Sequence, residues 1–73
     1  IMLSIYDIIV DITALVPDDV EVTPPPFDES HDLVTAVSIM QPLLARAIQL
    51  RNRIETLVYT YYLGMLFAHA TSD

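Results

Sequence analysis

Steps of alternately three and four residues from Leu33 reach Ala36, Met40, Leu43, Ala47, Leu50, Ile54, Leu57, Tyr61, Gly64 and Ala68, and none of these eleven positions carries a charge. An apolar repeat averaging 3.5 residues is the pattern of helices packed side by side along a left-handed seam. It predicts a helical segment over 31–73. Pro42 falls off the seam, but it lacks the amide that would bond the Ser38 carbonyl, and its ring crowds that carbonyl. A kink or break near residues 38–42 is therefore expected in the long helical segment.

That helix changes character along its length. Between 45 and 56, Arg46, Gln49, Asn52, Arg53, Glu55 and Thr56 supply a polar side, with Arg51 close by. From Leu57 onward Val58, Tyr59, Tyr62, Leu63, Met65, Leu66 and Phe67 surround the seam, so the segment is apolar nearly all round and needs cover on every side. A single helix over 42–70 would be about 43 Å long at 1.5 Å per residue. A compact chain of this length is roughly 29 Å across. The helix would overhang its own domain, and one short helix folded back could cover only one face.

Upstream, "SIYDIIVDITALV" places Ser4, Asp7 and Asp11 on one stripe of a helix and Ile5, Ile8, Ile9, Ile12, Leu15 and Val16 on the other face. Ser4 and Asp7 have the spacing of a capping box, with Asp in place of the usual Glu or Gln. The β-branched content leaves a buried strand as the competing reading. Residues 1–16 are thus an N-terminal helix ended by Pro17. "PDDVEVTPPPFDES", residues 17–30, holds four of the five prolines and five of the ten acids. It reads as an acidic proline-rich linker, a semi-rigid spacer in polyproline II geometry; a ligand for an aromatic groove is the alternative. Asp28 and Ser30 are both suited to cap the next helix, which is expected to begin near Ser30.

Charge and composition narrow the function classes. The net charge is −7, and Arg46, Arg51 and Arg53 are the only basic residues besides two histidines. Phosphate neutralisation on nucleic acid needs a basic stripe, so no nucleic-acid partner is expected. With no cysteine, thiolate metal sites and thiol catalysis are excluded. The leading "IMLSIYDIIV" lacks the positive n-region and small-residue cleavage site of a secretory signal. Hydrophobic residues make up 53% of the chain, a surplus that a lone domain of this size would leave partly in water.

Candidate chemistry is sparse. His31 and His69 are too far apart for a helical metal pair, and His69 reads as a fraying helix end. The three arginines could grip a small dianion in a helical enzyme, yet only Glu55 is at hand as an acid or base. They are expected to flank the seam and pair with the acids of residues 18–29, in the same chain or a neighbour. Tyr59, Tyr61 and Tyr62 suit a core or interface belt, combining apolar area with a hydroxyl for the wet rim. No cofactor and no metal are expected.

The sequence therefore predicts an all-α chain: a short helix, an acidic linker and a long helix kinked near Pro42. Its helical bundle is completed by a second copy or another protein. The expected interface is Leu43, Ala47, Leu50, Ile54, Leu57, Val58, Tyr61, Tyr62, Gly64, Met65 and Ala68. Association as a dimerisation or scaffold domain is the leading functional expectation. A membrane-associated helical subunit is second, since Ile54 to Ala70 is at the lower edge of a membrane span; a small helical enzyme acting on an anionic metabolite is third.

Overall fold

The computed structural model describes residues 4–19 and 23–71. The first three residues of the expected N-terminal helix, linker residues 20–22 and residues 72–73 lie outside the described residues. Among the described residues the chain is all-helical, with α1 at Ile5–Leu15, α2 at Leu33–Gln49 and α3 at Arg53–Thr71, and no strand.

Helix α1 begins as its sequence dictates. Ser4 accepts from the Asp7 amide at 3.2 Å while its own amide donates to Asp7 Oδ2 at 3.1 Å, completing the capping box. Those bonds, the Ser4 backbone N–H first and its hydroxyl second, hold the Asp7 carboxyl below the usual carboxylate range. At the other end Val16 is extended, as a residue before proline prefers, and the helix stops. Ile5, Ile8 and Ile12 are buried, Ile9 and Val16 half-buried. Leu15, expected on the same face, is exposed, because the packed surface ends one turn earlier.

The linker is more than a spacer. Phe27 is 3% exposed and joins the core, its ring edge-on to Tyr62 at 6.4 Å and 84°. The Tyr62 hydroxyl donates to the Thr23 carbonyl, so both ends of residues 23–27 are tied to α3. Burial, and then the neighbouring Tyr59 and Tyr61, push the Tyr62 phenol above its ordinary pKa. Asp28 and Ser30 do not cap α2. Asp28 Oδ1 accepts from the Ser30 amide at 2.8 Å and from its hydroxyl, forming an Asx turn, with the His31 amide donating to the Asp28 carbonyl at 3.0 Å. The cap is Asp32, which accepts from the Thr35 amide at 2.7 Å.

The long helix kinked near Pro42 is not what forms. α2 continues through Pro42, which lies on an exposed face where water can reach the Ser38 carbonyl it leaves without a donor. The break falls instead at Leu50–Asn52. The Asn52 amide donates to the Ala47 carbonyl at 3.0 Å and the Arg51 amide to the Ile48 carbonyl at 3.1 Å, which is a Schellman motif. Arg51 occupies its left-handed position, φ 56°, normally taken by glycine; for another residue that conformation costs roughly 1–2 kcal/mol. Asn52 then caps α3, its Oδ1 accepting from the Glu55 amide at 3.1 Å. One residue closes α2 and opens α3, and the chain turns back on itself.

The result is an antiparallel α2–α3 hairpin with α1 and the linker against its open end. The longest helix, α3, spans about 28 Å at 1.5 Å per residue in a molecule of 37 × 29 × 20 Å. The expected 43 Å overhang does not exist. Ile5, Ile8, Ile12, Phe27, Ala36, Met40, Tyr62 and Leu66 make one core, and Ala47 is buried near the closed end of the hairpin.

Candidate protein interface

The turn at 50–52 decides which residues of the seam stay inside. On α2 the seam faces α3: Ala36, Met40 and Ala47 are buried, Leu33 and Leu43 half-buried. After three non-helical residues the helical phase is reset. The face that α3 turns inward is centred on Tyr62 and Leu66, with Val58, Tyr59, Leu63, Met65 and His69 half-buried beside them. At 100° per residue, the seam positions of α3 lie roughly 120° round the helix from that face.

Of the expected interface residues, then, Ala47 and Tyr62 are buried in the chain's own fold, and Leu43, Val58 and Met65 are half-buried. The others are uncovered. Leu50 is 64% exposed, Ile54 74%, Leu57 71% and Tyr61 39%, with Gly64 and Ala68 exposed on the same stripe. Bulky side chains crowd the end near the hairpin turn, and small ones follow Tyr61. Ile48, 58% exposed, extends the apolar surface around the turn. α1 and the linker pack on Ala36, Met40, Tyr62 and Leu66, so they leave the turn end bare.

Arg51 and Arg53 frame this surface. With Ile48, Thr56 and Leu57 they line an open groove of about 580 Å³, which holds no histidine or carboxylate. Among the described residues, neither they nor Arg46 comes within ion-pair distance of a carboxylate. The expected pairing with acids of 18–29 does not occur within the described chain, for a simple reason. Those acids precede α2, whereas Arg46 lies thirteen residues beyond Leu33, about 20 Å along the helix.

The opposite end of α3 is acidic. His69 is not a frayed terminus: its Nε2 lies 3.0 Å from Asp11 Oδ2, fastening α3 to α1, while its Nδ1 is buried without a hydrogen-bond partner among the described residues. Asp7 lies one turn before Asp11. At the start of α2, His31 Nδ1 is 3.2 Å from Asp28 Oδ1 but also accepts from the Asp28 amide at 3.0 Å. One ring nitrogen cannot do both, and the amide bond needs the unprotonated form at that atom.

Sequence reasoning missed a second apolar surface. Leu33, Val34, Val37, Ser38, Phe67 and Ala70 line a groove of about 280 Å³ where the start of α2 meets the end of α3. Val34 and Val37 sit one residue beside the seam, on a flank where the hairpin leaves Val34 exposed and Val37 half-buried. Among the described residues no three of His, Asp and Glu come together as a metal site, and no helix is long and apolar enough to cross a membrane. Comparison of the whole chain with known proteins finds no matching family model, no matching curated protein and no matching solved structure.

Proposed function

We propose that this chain is a non-enzymatic association module, a dimerisation or scaffold domain, working through the exposed stripe of α3. One observation carries the reading: Ile54, Leu57, Tyr61, Gly64 and Ala68 form an uncharged, largely apolar band on α3 that the chain's own fold leaves uncovered, with exposed Leu50 in the turn before it. Contiguous apolar surface with a charged rim is the usual mark of a protein contact. Arg51 and Arg53 supply that rim at the turn end. The groove between them lacks an acid or base, which favours binding over chemistry.

The test is the mass of the purified chain in solution. Light scattering at micromolar concentration without detergent is expected to give a multiple of the 8.2 kDa protomer. Leu57→Asp, at a position 71% exposed, should return the species to monomer while leaving helicity intact. A wild-type chain that stays monodisperse at 8.2 kDa refutes self-association through this stripe.

A further inference from the structure

Building on the association reading, we infer that the partner is a second copy of this chain and that the two α3 helices pair antiparallel, about a two-fold axis near Tyr61. The stripe is graded in size. Ile54 and Leu57 are bulky and precede Tyr61; Gly64 and Ala68 are small and follow it. In an antiparallel pair centred on Tyr61, Ile54 lies seven residues before the axis and meets Ala68, seven after it. Leu57, four residues before the axis, comes level with the step from Gly64 to Met65, three and four after it, beside the open backbone at Gly64, where even a Cβ would touch nothing within 4 Å in the single chain. Large side chains enter the space beside small ones at both ends. A parallel pair would instead stack Ile54 on Ile54 and Leu57 on Leu57, and leave a gap between facing glycines.

Charge selects the same orientation. Arg51 lies ten residues before Tyr61, and Thr71 ten after it. Antiparallel pairing carries Arg51 and Arg53 of one copy to the end of the other where His69 holds Asp11 at 3.0 Å, with Asp7 one helical turn away. Opposite charges then meet twice, once at each end. Parallel pairing would gather six arginines, three from each copy, at one end of a pair and the acids at the other. Complementary potentials chiefly set register and exclude wrong arrangements. The left-handed backbone at Arg51 has a matching reading: the turn would accept glycine with less strain, and glycine would bring no guanidinium to the partner.

The chain contains no cysteine, which makes the orientation directly measurable. Ile54→Cys and Ala68→Cys alter exposed positions, so each variant should keep the wild-type helical spectrum. In the antiparallel pair the two copies of residue 54 are about 21 Å apart along the axis, beyond the reach of a disulfide, whose Cα atoms are at most about 7 Å apart. Under mild oxidation each variant alone should stay uncrosslinked. An equimolar mixture of the two should form a disulfide between 54 and 68 in the mixed pairs, which random pairing makes half of all dimers.

Self-crosslinking of Ile54→Cys alone, in a chain shown dimeric by light scattering, overturns the antiparallel arrangement and leaves the association reading standing. A dimer that crosslinks in neither test overturns the assignment of this stripe as the contact. A wild-type chain monomeric by light scattering refutes self-association, and this inference with it, and leaves association with a different protein standing.

Discussion

Gly64 is where the fold of one chain and the proposed contact between two make opposite demands. It lies in the interior of α3, exposed and with ordinary helical φ, and a Cβ built on it meets nothing within 4 Å. Alanine there incurs no clash in the single chain, so helix propensity alone decides the change, a gain of about 0.8–1.0 kcal/mol. Part of it comes from restricting the unfolded state. For a domain of 60–100 residues a gain of about 1 kcal/mol raises Tm by about 4–8 °C. Circular dichroism melts of Gly64→Ala, diluted until the mass is that of the monomer, should show this rise. Gly64→Leu should retain most of it, because leucine is nearly as good a helix former. Its side chain would, however, occupy the space assigned to the partner's Leu57. Its dimer should weaken at least tenfold, about 1.4 kcal/mol, in sedimentation or dilution light scattering. A dilute Tm that is unchanged or lower refutes Gly64 as an unhindered helical position. A Gly64→Leu chain that associates as tightly as wild type refutes the close approach at Gly64.

The hairpin turn and the acid response can be checked in the same dilute regime. Arg51→Gly should stabilise the monomer by about 0.5–1 kcal/mol, since glycine takes the left-handed conformation without a Cβ penalty but adds freedom to the unfolded chain; urea midpoints measure this, and a loss refutes the strain. Asn52→Ala should cost about 1 kcal/mol by removing the acceptor for the Glu55 amide, and an unchanged midpoint would show that the cap is dispensable. Hydrogen bonds from Thr35, hydroxyl first and amide second, hold the Asp32 carboxyl below the usual carboxylate range. A depressed carboxyl contributes stability above the unfolded pKa that is lost as pH falls through the folded one. The stability difference between wild type and Asp32→Asn should therefore be largest near neutrality and shrink below about pH 4; a difference that grows with acid contradicts the sign.

Much of the local structure is legible in the residues. Ser4 and Asp7 specify the start of α1, Pro17 its end, and the 3.5-residue repeat places Ala36, Met40 and Ala47 on a packed face. The turn at Leu50–Asn52 was legible too, though from a different signal. "NRIE" pairs an Asn cap with Glu55 three residues on, the spacing of a helix start. The uninterrupted apolar repeat masks it, because a repeat records which positions avoid charge and is silent on whether the backbone between them stays helical. Phe27 was hidden for a related reason: it sits in a proline-rich stretch with no periodicity to mark a buried side.

By itself, the sequence determined that the chain is helical, where α1 begins, and that 53% of its residues are hydrophobic. Those are local matters of capping, periodicity and composition. Tertiary structure alone decided where the long segment folds, which seam positions α2 and α3 bury in each other, and that His69 reaches Asp11. These depend on a three-residue turn that resets the phase of α3. Once the phase is reset, the inward face passes to Tyr62 and Leu66, and Ile54, Leu57 and Tyr61 are left exposed.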